Sequence, residues 1–328
     1  MKRITCLFAI VLLFVACGAN DFPVLSGPYL GQMPPGTTAE LFAPGIISNE
    51  LCNRDVTMSP DGKEMYFSVH TPDFAYASIL CSKEVNGVWT RPEVLPFARD
   101  PRYTCIEPAM SPDGQRLYFC SVLPQDNTEA PADEDIWYVQ RTEEGWSEPI
   151  NAGPQVNSEG FEFFPSVTED GSLYFTRADV GTQIHYIYKS KLLNGEFQPS
   201  ERLPEQINCG RNRYNAYIAP DESFCVVPCF GMPDAYGGTD YYITFHQEDG
   251  SWSEPVNMGP EFNHATGGEW SFSMSPDKEV LFFMATQNTA KTPGTLNYDF
   301  FFNAMSGPGN GNPDIYWIDA SVIDSLKK

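Results

Sequence analysis

The sequence predicts an all-β chain: a single β-propeller of five four-stranded blades, the last closed by a strand from the N-terminus. Three observations carry this. A turn phrase, Ser-Pro-Asp-Gly or a close variant, recurs five times, with aspartates 51 to 57 residues apart. An apolar aromatic strand follows each copy, and a Gly-x-Trp-Ser-x-Pro phrase recurs further on. Aromatic residues make up 14% of the chain beside 28 Pro and 26 Gly, so strand formers and turn formers are abundant together. Four short strands per unit, repeated around an axis, make a propeller.

The elements follow in order. Met1-Lys2-Arg3 precedes an apolar run from Ile4 to Ala16, which is too short for a permanent membrane span and reads as a secretory leader over residues 1–16. Residues 17–37 read as a linker, and 38–47 as a lone strand region containing Ala39-Glu40-Leu41-Phe42. Unit one has the turn Ser59-Pro60-Asp61-Gly62, the strand Met65-Tyr66-Phe67 and the phrase Gly87-Val88-Trp89. Unit two repeats these as Ser111-Pro112-Asp113-Gly114, Leu117-Tyr118-Phe119 and Gly145-Trp146-Ser147-Glu148-Pro149, with a third strand at Asp135-Ile136-Trp137-Tyr138. Unit three has Asp170-Gly171, Leu173-Tyr174-Phe175, His185-Tyr186-Ile187-Tyr188 and Gly195-Glu196-Phe197. Unit four has Pro220-Asp221, Phe224-Cys225-Val226, Asp240-Tyr241-Tyr242-Ile243 and Gly250-Ser251-Trp252. Unit five has Ser275-Pro276-Asp277, Leu281-Phe282-Phe283 and Asp314-Ile315-Tyr316-Trp317, but no fourth phrase. The strand near residues 38–47 supplies the missing one, since stitching a blade from both chain ends leaves no open sheet edge. The propeller then spans 38–320, with a short tail at 321–328 whose end is the best candidate for a helix.

The Phe14-Val15-Ala16-Cys17 stretch resembles the lipobox of bacterial lipoproteins. That resemblance implies a lipid on Cys17. Gly18 in place of Asp after the cysteine implies the outer membrane, on its periplasmic or surface side. The repeated turn, the Leu-Tyr-Phe strand, the Asp-Ile-Tyr strand and the Gly-x-Trp-Ser-x-Pro phrase resemble the WD40-like propeller repeat of the TolB type. This resemblance covers residues 38–320 and implies contacts with envelope proteins through the propeller faces. Its usual blade count is six, which is the alternative to five.

Counting back from each turn aspartate locates candidate site residues on the innermost strands. Eight before it lie Asn53, Cys105, Glu162, Arg213 and Glu269; six before it lie Asp55, Glu107, Phe164, Asn215 and Ser271. Period-two spacing puts both sets on one side, facing the central channel. Asp55, Glu107, Glu162, Arg213, Asn215 and Glu269 are therefore the candidate ligand-binding residues, in a polar and mostly acidic funnel. The TolB-type repeat often has glutamate at the first position, which implies a structural role for Glu162 and Glu269. Three insertions, 123–134, 231–239 and 286–312, interrupt the repeat. The last carries Tyr298, Phe300, Phe301 and Phe302, expected to pack on the propeller or to meet a partner.

The net charge is −23, or −25 without residues 1–16, so a nucleic-acid partner is excluded for want of clustered Lys and Arg. Membrane contact is expected through the lipid alone, and the chain is expected to be monomeric. Four scattered histidines and no Cys-x-x-Cys argue against zinc, so no cofactor is expected. Calcium among the funnel carboxylates is the one metal the residues allow. Cys105 and Cys120 flank a turn and could face each other across its hairpin. No nucleophile elbow or phosphate loop is present. The first functional reading is thus a non-catalytic binding or scaffold module for an envelope protein or a glycan. The alternative is a glycoside hydrolase with Glu162 as acid, Asp55 as base and Glu107 tuning the acid.

Overall fold

The computed structural model describes residues 22–125, 133–290 and 295–327. The leader 1–16, Cys17 and parts of the insertions 123–134 and 286–312 lie outside the described residues. Five small antiparallel sheets form a ring of five blades.

Each blade starts at the axis and runs outward. Blade 1 is Cys52–Met58, Glu64–His70, Ala77–Val85 and Glu93–Val94; blade 2 is Cys105–Met110, Arg116–Ser121, Asp135–Thr142 and Ile150–Asn151. Blade 3 is Glu162–Val167, Leu173–Ala178, His185–Ser190 and Glu201–Arg202. In blade 4 the inner strand is split into Asn212–Arg213 and Tyr217–Ile218, followed by Phe224–Phe230, Thr239–Phe245 and Val256–Asn257. Blade 5 is Phe272–Met274, Val280–Asn288 and Asn310–Asp319, and its outer strand is the N-terminal Glu40–Leu41. Glu40 pairs with Trp317 and Leu41 with Tyr316, so the ring is closed by both chain ends. Phe42, fully buried, anchors that closure between Phe282 and Trp317, with ring centroids 4.9 and 5.0 Å away. Burying such a ring is worth about 2–3 kcal/mol. Tyr29 and Leu30, from the stretch read as a linker, are buried in the same cluster.

The repeated turn has a physical cause. Ser59 Oγ donates to Asp61 Oδ1 at 2.7 Å and accepts from the Glu64 amide at 2.9 Å. The same pattern recurs at Ser111/Asp113/Arg116 and Ser275/Asp277/Val280. The next residue takes a left-handed backbone: φ is 70° at Gly62, 69° at Gly114 and 80° at Gly171. In the weaker copies Glu222 and Lys278 hold the same conformation, at 56° and 62°, where glycine costs less.

A fifth repeated device was not evident beforehand. The loop entering the next blade carries an asparagine that clasps both backbone groups of one third-strand residue. Asn157 holds Ile136, Asn208 holds Ile187 and Asn263 holds Tyr241, with amide distances of 2.9, 2.7 and 2.7 Å. In blade 5, Ser48 does the same for Ile315.

Three details differ from the sequence expectation. The Gly-x-Trp-Ser-x-Pro phrase is not one strand. In blade 2 it pairs at Gly145–Trp146 and again at Ile150–Asn151, interrupted near Pro149, which cannot donate to the ladder. Cys105 pairs with Ser121 and Cys120 with Ile106, so the two cysteines sit one register apart and do not face each other. All seven described cysteines are free and buried. The tail forms a 3-10 helix, Ala320–Leu326.

Antiparallel pairing fixes the two faces of the ring. The turns between first and second strands, and the hairpins between third and fourth, lie on one face, here the turn face. The second-to-third connections and the blade-to-blade loops lie on the other. All three insertions fall between second and third strands, so that opposite face is the insertion face.

Candidate functional site

The inner strands do not keep strict alternation. Their register shifts between Arg54 and Thr57, Ile106 and Ala109, and Phe163 and Ser166. The residue six before the turn aspartate is the bulged one, with φ of 60° at Asp55, 59° at Glu107, 50° at Phe164 and 44° at Asn215. Such strain persists only where the surroundings fix it. Here each amide at this position donates to a side chain of the preceding blade. Asp55 donates to Ser271 Oγ (3.2 Å), Glu107 to Ser68 Oγ (2.9 Å) and Phe164 to Glu107 Oε2 (2.7 Å). Asn215 donates to Thr176 Oγ1 (2.9 Å), and Ser271 to Tyr241 Oη (3.2 Å). The five bonds make a closed circuit around the axis.

Arg54 lies inside that circuit. Its Nε donates to both Asp55 oxygens at 2.8 Å and its Nη2 to Glu107 Oε1 at 2.9 Å. Asn215 Nδ2 also donates to Glu107 Oε1, at 3.3 Å, from across the ring. Arg54, Asp55, Glu107 and Asn215 are all at most 5% exposed. Burial pushes the Glu107 carboxyl well above the usual range, against the pull of Arg54 and with a push from Asp55. The carboxylates hold Arg54 above the ordinary guanidinium range although burial alone would lower it.

The structure thus brings together Asp55, Glu107 and Asn215. It turns the other three candidates elsewhere. Glu162 accepts from the Ser158 amide and hydroxyl and pairs with Arg177. Glu269 accepts from the His264 amide and ring at 3.1 and 3.2 Å. Burial raises both carboxyls, opposed by those partners. Arg213 donates to the carbonyls of Cys209, Gly210 and His185. Each of the three ties down the loop entering or flanking its own blade. Arg54 was missed by sequence reasoning, though a signal existed. Seven before the turn aspartate the other repeats carry Ile106, Phe163, Tyr214 and Trp270, so an arginine there is the sharpest departure from the repeat.

The arginine cluster divides the axis. On the turn-face side lies a cavity of about 240 Å³ with an apolar wall that includes Val56, Met58, Met110, Tyr217, Phe272 and Met274. On the insertion face, at the junction of blades 1 and 5, a cavity of about 260 Å³ has Arg54, Phe74 and Trp270 among its lining residues. A wider, largely apolar groove of about 700 Å³ runs beside it between blades 1 and 2. Exposed aromatic residues gather on the same face: Phe74, Tyr76, Phe161, Phe230, Tyr236 and Trp270. The third insertion forms a helix, Tyr298–Met305, capped by Asn297 Oδ1 accepting from the Phe300 amide. Its rings do not pack on the propeller: Tyr298, Phe301 and Phe302 stay exposed, and Phe300 is half-buried. Among the described residues, no group of three or more His, Cys, Asp or Glu is placed to hold a metal ion, and of the funnel carboxylates Asp55 and Glu107 are paired with Arg54. No helix among them is long and apolar enough to cross a membrane.

No family model matches the chain, and no curated protein matches it. Among solved structures it is similar to the Kuenenia stuttgartiensis hydrazine synthase at 14% identity, over 73% of this chain and 74% of that one, with a TM-score of 0.40. It is similar to a Mycobacterium tuberculosis puromycin-hydrolyzing peptidase at 11% identity, over 74% of this chain, TM-score 0.40, but spans only 35% of that chain. A chain of the nidogen/laminin complex matches at 11% identity, over 63% of this chain and 66% of that one, with a TM-score of 0.42. Likeness this distant says nothing of chemistry. By its own strand order, the chain is a five-bladed β-propeller.

Proposed function

We propose that this chain is an envelope lipoprotein whose propeller is a non-catalytic binding module, engaging a protein or glycan through its insertion face. One observation carries the reading. Exposed aromatics, insertions and the groove of about 700 Å³ converge on that face, while every carboxylate proposed for catalysis is already engaged: Asp55 and Glu107 by Arg54, Glu162 by Arg177 and Ser158. An acid–base pair needs both carboxyls free for the glycosidic bond and its water, and here Arg54 holds the base candidate Asp55 while Arg177 holds the acid candidate Glu162. The glycoside hydrolase reading therefore draws no support from the site. The lipobox resemblance supports a lipid on Cys17 and an outer-membrane location, and the TolB-type repeat supports an envelope partner.

The test is site-specific photo-crosslinking in the native envelope. A crosslinker at Phe161 or Tyr236, both 49% exposed on the insertion face, is expected to capture a partner. One at Val85 or Leu193, exposed on the turn-face hairpins, is expected not to. Adducts formed equally from both faces, or from the turn face alone, overturn the proposal.

A further inference from the structure

We propose that the cavity at the junction of blades 1 and 5 is a pocket for one neutral sugar ring of a glycan, which rests on the reading of the insertion face as the binding side. Its walls and floor differ in chemistry. Phe74 and Trp270 line it and are each 41% exposed, so both rings offer a face to an incoming group. Phe74 is held in place by stacking on His70, with centroids 3.7 Å apart and planes 15° from parallel. Its φ of 55° shows that the loop accepts backbone strain to present it. The floor includes Arg54, whose Nε and Nη2 are taken by Asp55 and Glu107. Nη1 takes part in neither of those pairs, so a guanidinium 4% exposed lines the cavity with a donor group beyond the two carboxylate contacts. Thr286 and Asn312 add polar groups at the rim.

A ligand for this site needs an apolar face to lie on aromatic rings and oxygen acceptors close to its edge. A pyranose has both: C–H groups on one face and hydroxyl oxygens around the ring. An aromatic or aliphatic protein side chain would satisfy the walls and leave the arginine donors unmatched. Asp55 and Glu107 offset the positive charge of Arg54, and the chain carries −23 overall, so an acidic sugar would meet repulsion rather than attraction. Neutral hexose-based glycans fit; uronate-bearing and sulfated ones do not.

The experiment is an array of neutral, uronate-bearing and sulfated oligosaccharides, followed by titration of the tightest neutral probe. Tryptophan emission gives a direct readout, because Trp270 is the one exposed tryptophan of six. The wild type is expected to bind at least one neutral oligosaccharide with a change in emission. Trp270→Ala and Phe74→Gly are each expected to weaken it at least tenfold with unchanged melting curves, since both side chains are exposed and glycine suits the left-handed φ of Phe74. An array on which no neutral oligosaccharide binds, binding confined to acidic probes, or binding indifferent to both variants overturns the pocket. If the array is blank while crosslinks persist at Phe161 and Tyr236, the pocket alone fails; if those crosslinks are absent too, the binding face fails with it.

Discussion

Replacing Arg54 by leucine should destabilise the ring strongly, and more so at high pH. The substitution leaves the Asp55 and Glu107 side chains, 1% and 5% exposed, with no cation beside them. Removing one partner of a buried ionic cluster costs about 3–5 kcal/mol. The leucine regains part of the packing of the arginine stem, so about 4 kcal/mol is a central figure. For a chain of this size that is a fall in Tm of about 5–8 °C. The pH dependence follows from the sign of the shifts. Burial holds the Glu107 carboxyl above its unfolded value even with Arg54 beside it, and removing that cation raises it further. A carboxyl raised on folding costs nothing while protonated in both states, and its cost grows as pH climbs from the unfolded value to the folded one. The pH-dependent part of the deficit should therefore be small near pH 5 and open as pH rises through about 8, the value Glu107 already reaches with Arg54 present, read by calorimetry on the two proteins side by side. The triple variant Arg54→Leu/Asp55→Asn/Glu107→Gln removes all three charges, and Asn tolerates the left-handed φ of Asp55; it should recover most of the loss. A deficit below about 1 kcal/mol at pH 9, or one equal at pH 5 and pH 9, would refute the view that Arg54 neutralises the axis.

Three further outcomes follow from local chemistry. Burial raises Asp314 to about 6 from 3.8, with only the Gly309 amide opposing, so the folded chain bears a cost on the order of 2–3 kcal/mol that is absent below about pH 4, grows through pH 4–6 and is full above it. Asp314→Asn should accordingly raise Tm above pH 6 and leave it unchanged near pH 4; equal effects at both would sink the assignment. Lys278→Gly should stabilise by about 0.5–1 kcal/mol in a denaturant titration, because it relieves a φ of 62° and sacrifices only an exposed pair with Asp221; a loss of stability counts against it. The seven described cysteines should resist a thiol reagent in the native state and react on denaturation, since burial pushes Cys81 up to about 12 and Cys105 to about 11; rapid native labelling at either would contradict their burial.

The ring was legible in the sequence because its parts are local. A serine and an aspartate two residues apart close their own turn, and Glu40–Leu41 completes blade 5 as its outer strand, where the fifth unit has no fourth phrase of its own. The channel was less legible, because alternation assumes an unbroken pleat. Bulges at Asp55, Glu107, Phe164 and Asn215 insert one residue each, so positions six and eight before the turn do not share a side. That single change separates Glu162, Arg213 and Glu269, which hold loops, from Asp55 and Glu107, which meet at the axis. It also admits Arg54, which strict alternation would have turned into the blade. Repetition itself explains why such sites resist prediction. A position that recurs in five blades is fixed by what all blades need, here an amide handed from each blade to the one before. What belongs to function is whatever one blade does differently, and Arg54 is the sharpest departure of that kind, lining with Phe74 and Trp270 the cavity where blades 1 and 5 meet.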